Sequence, residues 1–137
     1  MAAIELSDSS GLTLPTEILV IDDDSITIFL AKKTIQSFKT DIIINSFQDG
    51  RNALQYLINR KANNKLIILL DINMPDYSGW DFLNDYISNQ FNASVFMFTS
   101  SIDPFDLAKS KTYTTVKGFI SKPLNKEKLE EIFKDSK

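Results

Sequence analysis

The chain has 137 residues, 43% of them hydrophobic and 24% charged, which suits one soluble globular domain with a core of its own. With 15 Lys and Arg against 18 Asp and Glu the net charge is −3, so nothing drives it electrostatically toward nucleic acid or anionic lipid. Cysteine and histidine are both absent, which excludes disulfides, thiolate or imidazole metal sites, Ser-His and Cys-His nucleophiles, and phosphohistidine.

Residues 1–16 are rich in Ser, Thr and small side chains and have no clear period, so a mobile tail is expected there, ahead of a domain over 17–137. The first ten residues carry acidic and no basic side chains, unlike a secretory signal. No apolar run approaches the roughly 20 residues that cross a bilayer. The expected location is the cytoplasm, with no membrane and no nucleic-acid partner.

From Glu17 onward two textures alternate. Short apolar runs rich in β-branched residues predict buried strands at 18–21, 42–44, 66–70, 95–98 and 118–120. Between them lie stretches with helical spacing. Ile28, Ala31, Ile35 and Phe38 share one face, and Ala53, Leu54, Leu57 and Ile58 another. Leu83, Tyr86 and Ile87 mark a third helix, and Leu129, Ile132 and Phe133 the last. A fourth is expected around 105–111, opened by Asp103 as cap and Pro104 at the first helical position. Five strand-then-helix units imply a single doubly wound α/β domain, a parallel sheet covered by helices on both faces.

In such sheets ligands bind beyond the carboxyl ends of the strands. The first strand runs into Asp22, Asp23 and Asp24, and the third ends in Asp71. The fourth ends in Thr99 and Ser100, and the fifth in Ser121 and Lys122. An Asp after a strand is often just the cap of the next helix, and Asp24 with Ser25 fits that role best. One cap suffices, however, and Asp22, Asp23 and Asp71 remain. Two like charges about 4 Å apart repel by roughly 4 kcal/mol at an effective dielectric of 20. A hard divalent cation removes that conflict, and without histidine or cysteine it must be held by oxygen, which favours magnesium, calcium or manganese.

These residues resemble the receiver domain of two-component response regulators, across about residues 17–134. An acidic pair follows the first strand (Asp22-Asp23), and an Asp-x-x-Met-Pro-x-x-x-Gly segment runs unbroken through Asp71, Met74, Pro75 and Gly79. Thr99 follows the fourth strand, and Lys122-Pro123 the fifth. The resemblance implies a flavodoxin-like (βα)5 fold with strand order 2-1-3-4-5. It implies that Asp71 is the phosphoacceptor and that Mg2+ is the cofactor. Asp23 and Asp71 would be direct ligands, with Asp22 acting largely through a water and Asn73 through its backbone carbonyl. Lys122 would pair with the acceptor carboxylate and then with a phosphoryl oxygen, while the Thr99 hydroxyl would bond another oxygen and move inward. Phe119 stands where an aromatic switch residue is usual, and as a plain core aromatic it is equally well explained. Thr115, Val116 and Lys117 replace the small residues common before the last strand.

The implied partners are a histidine kinase or histidine phosphotransfer protein as donor and a downstream protein target, with the chain a monomer or weak dimer. The resemblance implies a signalling phosphoacceptor, catalysing only its own phosphorylation and dephosphorylation. The chain stops after the fifth helix, as expected of a regulator that acts by changing which proteins it binds, or of a receiver cut from a longer chain. Three readings compete. Asp22-x-Asp24 resembles the nucleophile motif of haloacid-dehalogenase-type phosphohydrolases, but that reading leaves Asp71 without a role. A flavodoxin-like electron carrier would need a Gly- and hydroxyl-rich phosphate loop where three aspartates stand. A receiver that binds proteins without phosphorylation is a third possibility, at odds with the full acceptor set.

Overall fold

The structure, a computed structural model, describes residues 15–100 and 102–136. Up to residue 14 the expected tail lies outside the described residues. Pro15 and Thr16 are tied in, through Asn64 Nδ2 to the Pro15 carbonyl at 2.6 Å and Ile43 N–H to the Thr16 carbonyl at 2.9 Å.

Strands and helices alternate along the chain. The order is β1 (Glu17–Ile21), α1 (Ser25–Phe38), β2 (Ile43–Phe47), α2 (Gly50–Asn59), β3 (Leu66–Leu70), α3 (Gly79–Ser88), β4 (Ser94–Thr99), α4 (Pro104–Ser110), β5 (Val116–Ser121) and α5 (Lys126–Asp135). All five strands are parallel, in the order β2-β1-β3-β4-β5, as the resemblance implied.

Strand periodicity divides the core into two layers. Leu19, Ile21, Ile68, Leu70 and Met97 face α2 and α3, where Ala53, Leu57, Phe82, Leu83 and Tyr86 meet them. Ile18, Val20, Ile67, Leu69, Phe96 and Phe98 face α1 and α5, against Ile28, Ala31, Ile35, Leu129 and Ile132. Central β1 and β3 are buried on both faces, hence their unbroken apolar runs. The edge strands differ from the expected buried runs. β2 is only half-buried and extends through Asn45, Ser46 and Phe47, well past 42–44. β5 gains a residue or two at each end, and Lys117 on it is exposed. Ile58 and Ile87 have helical spacing but lie exposed at the borders of their apolar stripes.

Helix starts follow local chemistry. Asp24, Asp49, Ser78, Asp103 and Asn125 each accept a bond from a first-turn N–H, and Ser78 with Asp81 forms a reciprocal capping box. Asp24 is thus the cap of α1, and Pro104 opens α4 as expected.

At the opposite end of the sheet from the acidic strand ends, Glu17 is buried. Its carboxylate accepts from Tyr56 Oη at 2.5 Å, Asn45 Nδ2 at 2.8 Å and Arg60 Nε at 2.9 Å. Arg60 also reaches the Ala62 and Asn64 carbonyls and Asn64 Oδ1. One guanidinium therefore ties β1 to the α2–β3 connection. Arg60→Met should lower unfolding free energy by about 3 kcal/mol, because it leaves a buried carboxylate without its counterion. Adding Glu17→Gln should recover part of that loss. Urea unfolding of both variants checks the pair.

Candidate functional site

Parallel registration of β1 with β3 sets Ile21 opposite Leu70, so the residues that follow leave the sheet together. Asp22 N–H is held by the Phe47 carbonyl at 3.0 Å and Asp71 N–H by the Ile21 carbonyl at 2.9 Å. At this point strand order reverses, which is where ligands bind in sheets of this kind. Carboxylate oxygens of Asp22, Asp23 and Asp71 lie within 4.8 Å of one another. Asp22 and Asp71 are buried and Asp23 is exposed. Asp24 does not join them, since its two oxygens accept from Ile26 N–H and Thr27 Oγ1, both at 3.0 Å. These bonds hold its carboxyl below the usual carboxylate range. The hydrolase reading needs Asp24 beside Asp22 in the cluster, and the cap removes it.

Lys122 enters from the β5–α5 connection. Its Nζ lies 2.6 Å from Asp22 Oδ2 and 3.5 Å from Asp71 Oδ1. Its nearer partner is therefore Asp22, where the acceptor carboxylate was expected to be its main contact. The Asp22 contact is an ion pair without hydrogen-bond geometry, and Oδ2 has no hydrogen-bond partner; Oδ1 accepts from Asp24 N–H at 2.9 Å. Burial alone pulls the Lys122 ammonium toward deprotonation, but the carboxylates of Asp22 and Asp71 outweigh it and the net shift is upward. The ammonium also sits 5.4 Å from the Phe98 ring centroid, a contact with no signal in the sequence.

The remaining positions fall on the same rim. Thr99 is buried at the end of β4, and its carbonyl accepts from Lys122 N–H at 2.7 Å. Asn73 is exposed in the loop after Asp71. Phe119 pairs with Met97 in the sheet and is partly buried against the α2–α3 layer, one strand removed from Asp71. The Lys122-Pro123 peptide is cis.

Gly79 acquires a reason that its place in the motif did not reveal. Its N–H donates to the Ile72 carbonyl at 2.9 Å, and a Cβ there would stand 2.5 Å from the Asp71 carbonyl oxygen and 2.9 Å from Ile72 Cα. Only glycine lets the start of α3 lie directly on the backbone of Asp71 and Ile72. Between them the chain turns tightly, with Tyr77 N–H to the Pro75 carbonyl at 2.7 Å and Asp76 at φ 66°, a left-handed conformation that Asp tolerates better than most residues.

The cluster suits a magnesium-type ion by its donor chemistry: oxygen only, with two of the three carboxylates buried. With Lys122 the only counterion bonded to it among the described residues, the set of three carboxylates stays net negative. Burial pushes the Asp71 carboxyl from its ordinary 3.8 up to about 6; the charge of Asp22 adds to the rise and Lys122 offsets part of it.

Residues 18–134 match the family of the response regulator receiver domain. The chain belongs to that family, whose members are signalling phosphoacceptors that bind Mg2+ in an acidic pocket. Among solved structures it is similar to a two-component response regulator from Cytophaga hutchinsonii, at 30% identity and TM-score 0.76, covering 89% of this chain and 96% of that one. A two-component response regulator from Legionella pneumophila is 28% identical, with TM-score 0.72 and coverage of 86% and 95%. The chemotaxis protein CheY4 of Vibrio cholerae shares the fold at 22% identity and TM-score 0.74, over 90% of this chain and 99% of that one. A search of curated proteins returned no match. No helix among the described residues is long and apolar enough to cross a membrane.

Two outcomes follow from the geometry. Because the folded state holds the Asp71 proton up to about pH 6 and the unfolded chain releases it near 3.8, the stabilising contribution of the protonated form is complete below about pH 4 and is lost as pH rises through 6. Metal-free Asp71→Asn should therefore be more stable than wild type at pH 7, by on the order of 2 kcal/mol, and the gap should close toward pH 4. Denaturant midpoints in chelator at the two pH values measure it. Gly79→Ala should cost about 1–3 kcal/mol through overpacking and should shift the Asp71 and Ile72 amide resonances more than those of α5.

Proposed function

We propose that the chain is a switch that takes a phosphoryl group onto Asp71 from a histidine kinase or histidine phosphotransfer protein and so changes which protein it binds. The observation that carries this reading is the buried Asp71 carboxylate, placed within 4.8 Å of those of Asp22 and Asp23 and 3.5 Å from the Lys122 ammonium. The fold contributes a positioned nucleophile and a matched field of charge, which is most of what phosphoryl transfer asks of a protein.

In this reading an Asp71 carboxylate oxygen attacks phosphorus. The new O–P bond forms as the P–N bond to the donor imidazole breaks, and the leaving nitrogen keeps the electron pair. Asp23 and Asp71 would hold Mg2+ directly, Asp22 through a water and Asn73 through its carbonyl. When bound, the ion neutralises charge shared by the acceptor and the incoming phosphoryl oxygens. Lys122 pairs with a phosphoryl oxygen after transfer. The Thr99 hydroxyl bonds another, a charge-assisted contact of roughly 1.5–3 kcal/mol, enough to bias a two-state element. Phe119 carries no hydroxyl, so any inward swing of its ring acts through packing alone. The domain would work in the cytoplasm, as a monomer or weak dimer.

Incubation with a small acyl phosphate and Mg2+ should label Asp71 and no other residue, as read by mass spectrometry. Asp71→Asn should abolish the label. Asp23→Asn should weaken both labelling and the Mg2+ titration of Trp80 fluorescence, a clean signal because Trp80 is the single tryptophan. A phosphoryl group found on Asp22 or Asp24 would overturn the reading.

A further inference from the structure

Lys128 lies at the third position of α5, and its ammonium is turned back onto the connection before the helix. Nζ donates to the Ser121 carbonyl at 2.8 Å and to the Pro123 carbonyl at 2.9 Å. Those are the two residues that flank Lys122. The Lys122 N–H is itself held by the Thr99 carbonyl at 2.7 Å. The backbone that launches the Lys122 side chain is thus fixed on both sides and at its own nitrogen, and two of the three ties come from one distant ammonium. We infer that Lys128 is a positioning residue for phosphoryl transfer, acting through Lys122; the inference rests on the reading of Asp71 as acceptor.

A helix-stabilising role does not account for this arrangement. Asn125 already caps α5, its Oδ1 accepting from Lys128 N–H at 2.8 Å. A cation in the first turn faces the positive end of the helix dipole, where acidic side chains are favoured. Holding a long lysine side chain in one conformation also costs entropy that a solvated lysine keeps. Both costs are offset by two carbonyl bonds, and both bonds act on the segment around Lys122. The ammonium of Lys122 must lie between Asp22 and Asp71, 2.6 Å from one and 3.5 Å from the other, and any drift of its backbone shifts that balance. Release of the clamp would let Lys122 follow its closer partner, Asp22, and leave the acceptor without a counter-charge as the phosphoryl group arrives.

The test compares the full chain as wild type, Lys128→Met and Lys128→Arg. Lys128→Met should slow acyl-phosphate labelling of Asp71 by roughly tenfold, a modest share of what misplacing a reacting group by 1 Å costs. Its Mg2+ affinity should stay within about twofold of wild type, because Lys128 makes no contact with the acidic cluster. In metal-free protein the Lys122 side-chain NMR resonances should shift or broaden. Lys128→Arg, which keeps donors and charge, should recover much of the rate and the resonance position. Unchanged labelling with unmoved Lys122 resonances would overturn the assignment. Slowed labelling with a parallel loss of Mg2+ affinity and melting temperature, unrepaired by arginine, would also overturn it, as the mark of a damaged helix start. A wild type never labelled at Asp71 refutes the acceptor reading and takes this role with it, whereas a labelled wild type beside an indifferent Lys128→Met refutes the positioning role alone.

Discussion

Side-by-side emergence of Asp22 and Asp71 is the constraint on which the rest of the molecule depends. It follows from two buried parallel strands in fixed register, Ile21 opposite Leu70, and cannot be relieved without slipping the centre of the sheet. Two buried carboxylates with a third beside them oppose folding unless positive charge is brought in. The fifth strand delivers one ammonium, and Thr99 and Lys128 hold the backbone that bears it. The remaining negative charge favours a cation over a free anion at this rim. Stability and chemistry are therefore opposed at one place, and the apolar layers on both sheet faces supply the free energy that tolerates the conflict.

The sequence carries much of this through local rules. Unbroken apolar runs at β1 and β3 reveal strands buried on both faces, and Asp103-Pro104 marks the start of α4. Asp24 is recognisable as a cap from its place before Ser25, which separates it from Asp22 and Asp23. The acidic pair, Asp71 with its Met-Pro-Gly segment, Thr99 and Lys122 all stand at strand ends on one rim, as their places in the chain imply. What fails is what depends on distance in sequence. Asn45 and Ser46 hide the length of β2, because an edge strand with one wet face tolerates polar residues that a central strand does not. Nothing near Glu17 in the chain signals its burial, because its partners Asn45, Tyr56 and Arg60 lie 28, 39 and 43 residues further on. Lys128 is one of several lysines near the end of the chain, and nothing local distinguishes the one that reaches back. The preference of Lys122 for Asp22 at 2.6 Å over Asp71 at 3.5 Å likewise has no local signal.

Gly79 shows how a motif position can be recognised without being understood. Its spacing from Asp71 belongs to the resemblance, but the reason is steric: α3 begins on top of the Asp71 carbonyl. Asp71 is thereby braced from behind by a helix and in front by the Lys122 ammonium.

The construction of α4 has a further consequence. It is the shortest helix, at seven residues, and buries only Ser110, while Phe105 is 86% exposed. Its visible attachments are superficial: Lys109 lies 4.8 Å over the Trp80 ring, and Trp80 stacks on Tyr113, whose hydroxyl donates to Asn84 at 2.9 Å. An element with so little buried apolar area opens at a small fraction of the global unfolding free energy, and its amides are the ones from which protection against solvent exchange is lost first. The cheapest rearrangement available to this domain is therefore at its rim, beside the strand that ends in Thr99. A change beside Thr99 need not disturb the sheet to be felt on the surface.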